Sequence, residues 1–208
     1  MYFAGRNPAV LEAAIARMRA SQPGLADAKL HALVLDLSST ASVVTAARSF
    51  SEPRLEIVVA NAAVALDNHS TLSDEGWERH FQTNHLGHFA LVTTLLPLLQ
   101  ATARAHGDVR IVCVSSDAHR LVRDIDFDGL RREVRSDMLG SFGSLKRYGQ
   151  SKLANILFMQ ELDRRLREHG VTNVWVNSCH PGSPLTFSPS PSLASCSPSL
   201  SRPLAVLV

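Results

Sequence analysis

His31-Ala-Leu-Val-Leu-Asp36-Leu37, Ser39–Phe50 and Leu55-Glu-Ile-Val-Val-Ala60 make one strand–helix–strand unit in this sequence. The first and last are short apolar runs, the composition of strands buried on both faces of a sheet. The amphipathic helical pattern between them is the crossover that joins parallel strands. The same alternation continues outward in both directions. Toward the N-terminus, Asn7–Arg19 has an N-cap asparagine, Pro8 at the first helical position, and apolar residues at Val10, Leu11, Ile15 and Met18. Toward the C-terminus, Asn61-Ala-Ala leaves the strand. Ser73 then opens a predicted helix through about Arg104, with Asp74 and Glu75 in its first turn, where carboxylates suit the helix dipole. Asp108–Val114 is the next predicted strand, Leu145–His169 a long helix closed by Gly170, and Thr172–Cys179 an extended segment ending at His180-Pro181-Gly182. This alternation predicts an α/β fold with a parallel sheet.

The 208 residues are 45% hydrophobic and 19% charged, the proportions of a globular chain able to bury a core. A net charge of +2, with the basic residues scattered, argues against a nucleic-acid or anionic-membrane partner. No apolar run approaches the ~20 residues of a membrane span; the best, Leu91–Leu99, is interrupted by Thr93, Thr94 and Pro97. The N-terminal residues lack the pattern of a secretory signal. Three cysteines, Cys113, Cys179 and Cys196, share no metal-ligand spacing and fit reduced thiols, so a cytoplasmic location is expected. Between Ser183 and Pro203 there are eight Ser and five Pro in twenty-one residues, with no periodicity. The expected organisation is therefore a domain over residues 1–182 and a disordered tail over 183–208, whose final Leu204-Ala-Val-Leu-Val is too short to form a domain.

The chemistry concentrates at a few positions. Tyr148 and Lys152 are four apart at the head of a predicted helix, so phenol and ammonium share one face. A neighbouring cation favours the phenolate, which suits the pair to acid–base work on an alcohol or carbonyl. Ser115 and Ser116 follow directly on a predicted strand, at the carboxyl end where open α/β sheets bind ligands; a strand-ending turn accounts for them equally. Asn84 is a mid-helix polar residue, a mildly unfavourable placement. His85 and His88 lie three apart but have no thiol or carboxylate partner nearby in sequence, and no metal site is expected.

Together these residues resemble the short-chain dehydrogenase/reductase superfamily. Six motifs carry the resemblance, in order: Val34-Leu35-Asp36-Leu37, Asn61-Ala62-Ala63, Asn84-His-Leu-Gly-His88, Val114-Ser115-Ser116 with Ala118-His119, Tyr148-Gly-Gln-Ser-Lys152-Leu-Ala-Asn155, and His180-Pro181-Gly182. The match is similar to the retinol-dehydrogenase-like and fungal oxidoreductase branch, and it spans roughly residues 1–182. It implies a Rossmann-like doubly wound sheet and hydride transfer between a nicotinamide cofactor and an alcohol/carbonyl pair. Tyr148 would then be the acid/base, and Lys152 would lower its pKa and bind the nicotinamide ribose. Ser116 would orient the substrate oxygen, and Asn84 would hold a water linked to Lys152. Asp36 and Leu37 would meet the adenine, Asn61 and Ala62 would line the cofactor cleft, and Pro181 and Gly182 would border the nicotinamide. Tyr2-Phe3-Ala4 resembles the family's second strand; Arg6 stands at its exit, where a basic residue pairs with a 2′-phosphate, so NADP is expected over NAD. A homodimer through the helices of residues 73–104 and 145–169 is likewise implied.

Two departures from the pattern accompany it. No strand and glycine-rich turn of the form T-G-x-x-x-G-x-G precedes Tyr2, and the chain has only eleven glycines. The missing strand would be the central one, so its loss is expected to leave two unpaired edges. After Gly182 the sequence leaves the family pattern for the Ser/Pro-rich stretch. The expectation is a family member truncated at both ends. The alternative reading is an inactive chain that acts at most as a dimerising or interaction protein.

Overall fold

The computed structural model describes residues 1–25, 29–65, 71–133, 141–182 and 206–207. Six strands form one sheet: β1 (Tyr2–Gly5), β2 (His31–Val34), β3 (Ile57–Ala60), β4 (Val109–Val114), β5 (Val174–Cys179) and β6 (Val206–Leu207), in the order β2-β1-β6-β3-β4-β5. Every pairing is parallel. The helices are α1 (Pro8–Ser21), α2 (Thr40–Ser49), α3 (Arg79–Phe81), which passes through a π turn (Gln82–Leu86) into α4 (Gly87–His106), and α5 (Ser141–Glu168). This is the expected α/β Rossmann-like fold.

Local chemistry explains most of the boundaries. Asn7 caps α1 through Oδ1, which accepts from the Ala9 and Val10 N–H groups at 3.0 and 3.3 Å. Ser39 caps α2, its Oγ accepting from Ser42 N–H at 3.3 Å. Gly170 closes α5 at φ +74°, the left-handed conformation that favours glycine, and Val171 N–H returns to Leu166 O at 2.8 Å. Val58, Val109, Ile111 and Cys113 of the strands are fully buried together with Val43 of α2, Val92 and Leu99 of α4 and Met159 of α5. Each such aliphatic side chain contributes about 1.5–3 kcal/mol by leaving water.

Three expectations are corrected. The helix predicted from Ser73 begins only at Arg79. Residues 73–76 form a tight turn, with Gly76 N–H bonded to Ser73 O at 2.8 Å and Gly76 at φ +76°. Glu75 does serve a helix N-terminus, but that of α2: its carboxylate takes the Thr40 N–H and hydroxyl, each at 2.6 Å. Second, the continuous helix Arg79–His106 is longer than the apolar run read from sequence. Its 28 residues reach a mean hydropathy of 1.4 over the most apolar window, half of which is buried inside the protein, as in a core helix.

The third correction concerns the centre of the sheet, which is not left as two open edges. Leu207 pairs with Tyr2 on one side and Val58 on the other, and Val206 pairs with Ile57. The chain's last residues thus supply a central strand, so Val206–Leu207 do not belong to a tail. Residues 183–205 and 208 of the expected tail lie outside the described residues. Pairing with β6 reaches only Tyr2 of β1 and Ile57–Val58 of β3. Beyond it, Ala4, Gly5 and Val59 line a cavity at the carboxyl end of the sheet.

Candidate active site

The exit of β4 anchors one half of the site. Ser115 is buried; its N–H bonds Cys179 O at 2.8 Å, and its hydroxyl donates to Lys152 O at 2.9 Å. Ser116 is half-buried and caps the 3₁₀ turn Asp117–Leu121, its Oγ accepting from Ala118 N–H at 3.3 Å. Of the two serines, it is Ser116 that remains accessible. That turn packs directly on α5. A Cβ at Gly149 would sit 2.5 Å from Ala118 O, so only a glycine lets the backbones meet beside Tyr148.

Lys152 is 2% exposed, and its Nζ donates to Val114 O at 2.9 Å. Burial pushes its pKa below the ordinary lysine value. The same Nζ lies 5.5 Å from the centroid of the Tyr148 ring. Helix geometry and the end of β4 thus bring Ser116, Tyr148 and Lys152 to one place.

Asn84, in the π turn, is fully buried and heavily engaged. Its Oδ1 accepts from Val64 N–H at 2.8 Å, and its Nδ2 donates to Val64 O at 2.9 Å and Ser151 Oγ at 3.1 Å. Its backbone carbonyl accepts from Asn155 Nδ2 at 3.0 Å. The amide clamps the exit of β3 to α5, which is more than a mid-helix asparagine announces in sequence.

The residues expected at the adenosine end of a dinucleotide gather separately. Arg6, Asp36, Leu37, Asn61 and Ala62 line one cavity of about 210 Å³. Asp36 Oδ1 accepts from the Ser38 N–H and hydroxyl at 2.8 and 2.7 Å, which fixes the carboxylate at the cavity wall. Gly87 lets α4 close on this loop, since a Cβ there would meet Leu37 O at 2.5 Å. Arg79, Thr83 and His88 also line the cavity and were not singled out as cofactor residues in the sequence. Pro181 and Gly182 follow β5 and do not line it.

The two histidines have structural partners. His85 Nδ1 meets Asn155 Oδ1 at 3.1 Å, and His88 Nε2 meets Ala62 O at 2.8 Å. Burial pushes the His88 pKa down to about 4. Between pH ~6.5 and about 4 the unfolded chain therefore binds a proton that the folded one refuses, and stability falls as the pH drops through that window. The expected loss is about 3 kcal/mol at most, and His88→Gln should flatten urea-denaturation stability against pH there. An unchanged slope in the variant would show that another group dominates.

A further cluster escaped the sequence. Glu78 and His80 are fully buried, and His80 Nδ1 lies 2.6 Å from Glu78 Oε1. Arg147 Nε is 3.6 Å from the same oxygen. The His80 ring meets the Tyr148 ring edge-on, with centroids 6.3 Å apart at 77°. A Glu-x-His pair ahead of the π turn and an arginine before the tyrosine were its only signals.

Comparison with known proteins places this geometry in context. The sequence model of the family described as short chain dehydrogenase matches residues 1–123. A short chain dehydrogenase/reductase of Colletotrichum higginsianum is 42% identical over 182 residues, covering 82% of this chain and 44% of that protein. Human retinol dehydrogenase 13 is 41% identical over 155 residues, covering 74% of this chain and 43% of its own length. The chain thus spans under half the length of both relatives. Among solved structures, an uncharacterised protein of Mycobacterium paratuberculosis matches with a TM-score of 0.63 at 30% identity, covering 88% of this chain and 68% of that one. A Pseudomonas aeruginosa protein in complex with NADP (TM-score 0.62, 23% identity, 87% and 61% covered) shares the fold. So does a Burkholderia phymatum short-chain dehydrogenase/reductase in complex with NAD (TM-score 0.59, 19% identity, 85% and 54% covered).

Proposed function

Because the chain belongs to the short-chain dehydrogenase family, we propose that it is an NADP(H)-linked oxidoreductase acting on an alcohol/carbonyl pair, with Tyr148 as its acid/base. One observation carries the reading: Lys152, buried against the end of β4, holds its ammonium 5.5 Å from the Tyr148 ring, beside the turn that presents Ser116. With the cation beside its ring, Tyr148 gives a proton to a forming alkoxide or takes one from an alcohol. Ser116 orients the reacting oxygen toward it. Asn84 is a positioning residue, tying the β3 exit to α5 through Val64 and Ser151.

The chain's residues fit the two ends of a nicotinamide dinucleotide. The adenosine end has the cavity walled by Asp36, Leu37, Asn61 and Ala62. At the nicotinamide end this reading puts Tyr148 and Lys152, with Pro181 and Gly182 assigned there by the family resemblance. Between them, no glycine-rich turn offers backbone N–H groups to a pyrophosphate among the described residues. When bound, the cofactor supplies hydride chemistry; the protein orients the partners and moves the proton.

Arg6 in the lining of the adenosine cavity supports NADP over NAD, since a guanidinium pairs with a 2′-phosphate. The exposed Phe89 of α4 and Leu157 of α5 support a homodimer face on those helices. The free thiols Cys113 and Cys179 support a cytoplasmic site of action. Residues 1–182, with Val206–Leu207 as the central strand, form the catalytic domain in this reading. Turnover of a carbonyl panel with NADPH and NADH tests it. The parent chain should prefer NADPH, and Arg6→Asp should shift the kcat/KM ratio toward NADH by about tenfold or more, the scale of one lost charge-assisted bond. A parent that prefers NADH overturns the cofactor assignment.

A further inference from the structure

Three buried ionisable side chains form a cluster that meets Tyr148 through the His80 ring and has no part in the chemistry above. The Glu78 carboxylate accepts from His80 Nδ1–H at 2.6 Å and from Phe81 N–H at 3.0 Å, and lies 3.6 Å from Arg147 Nε. An ionised carboxylate only accepts, so His80 Nδ1 carries the proton. His80 Nε2 is buried with no hydrogen-bond partner among the described residues. Arg147 directly precedes Tyr148 in α5, and the His80 ring packs edge-on against the phenol ring. Capping α3 at Phe81 needs only a neutral acceptor. It accounts for neither a buried guanidinium nor an imidazole set against Tyr148, each of which carries a desolvation cost.

We propose that Glu78, His80 and Arg147 form a charged platform that positions Tyr148 and, with Lys152, sets how readily its phenol gives up and regains a proton. The inference rests on the reading of Tyr148 as the acid/base. The signs are fixed by charge: Glu78 opposes a phenolate, Arg147 favours it, and His80 holds the ring between carboxylate and phenol. Other ionisable groups sit on elements packed against α5. They are Arg79 on α3, His85 in the π turn, Asp117, His119 and Arg120 after β4, and Cys113, Cys179 and His180 on the strands and their exits. All of these, and Lys146 and Lys152 of α5 itself, stay constant in the test.

The chain has two tyrosines, so Tyr2→Phe leaves Tyr148 as the single one. Carbon-labelled tyrosine then reports its ionisation by NMR titration of the folded protein, with or without turnover. Glu78→Gln keeps the capping acceptor and removes the charge, so the Tyr148 midpoint should move to lower pH. Arg147→Gln should move it to higher pH. Folded variants whose midpoints stay put, or move in the same direction, overturn the platform. Should either variant fail to fold, His80→Phe keeps the ring contact while depriving Glu78 of its donor, and an upward shift is expected; no shift overturns the proposal. Failure of all three variants to fold assigns the cluster to stability alone and overturns it equally. The two readings separate cleanly. If Tyr148→Phe abolishes turnover while the midpoints never move, the platform falls and the acid/base stands. If the midpoints move as expected while Tyr148→Phe turns over normally, the acid/base reading falls and the platform remains as electrostatics.

Discussion

Tyr148→Phe is expected to lower kcat by about 10²–10⁴-fold while leaving the Kd for NADPH nearly unchanged. The substitution removes one hydroxyl and keeps the ring, so the edge contact with His80 and the approach of Lys152 Nζ survive. In the proposed mechanism, what disappears is the proton that reaches the forming alkoxide as hydride arrives, about 3–5 kcal/mol of barrier. Stopped-flow turnover with the best carbonyl found, alongside NADPH fluorescence titration, separates the two quantities. A loss confined to KM would point to packing instead. Unchanged turnover would falsify the placement of the catalytic centre at Tyr148, whatever the family resemblance.

The second large effect is on stability. Deleting residues 204–208 removes β6 and leaves Tyr2 of β1 and Ile57–Val58 of β3 without a common neighbour. The sheet then splits into β2-β1 and β3-β4-β5, held together only through helices and loops. Val58, now fully buried, gains an open flank, and backbone groups of Tyr2, Ile57 and Val58 lose their partners. Each buried backbone group left unpaired costs about 1–3 kcal/mol, against a total stability of about 5–15 kcal/mol for a domain. A broad, non-cooperative urea transition by far-ultraviolet circular dichroism is expected in place of a single sharp one. A deletion variant that melts as cooperatively as the parent would remove β6 from the structural core.

Much of the architecture was legible because it is local. The capping asparagine at position 7, the serine at 39 and the glycine at 170 act within a turn of where they sit, and the structure uses all three. The strand expected over Asp108–Val114 runs from Val109 to Val114, with alternate positions buried. The start of the long helix was misplaced because Asp74 and Glu75 look like first-turn carboxylates. Gly76 breaks the backbone there, and Glu75 finds the N-terminus of a different helix, thirty-five residues away in sequence. No local rule distinguishes the two uses of one carboxylate.

The sequence alone determined the α/β class, the order of the elements and the spacing of the residues proposed for acid–base chemistry. Those properties rest on periodicity and on side chains a helical turn apart, such as Tyr148 and Lys152. Only the tertiary structure decided which strand occupies the centre of the sheet. Val206–Leu207 pair with Tyr2 and with Ile57–Val58 across about 150 residues or more of chain. It also decided that Glu78, His80 and Arg147 meet beside Tyr148. Strand pairing and buried charge clusters are contacts between distant segments, and each partner's sequence is compatible with many neighbours until packing selects one.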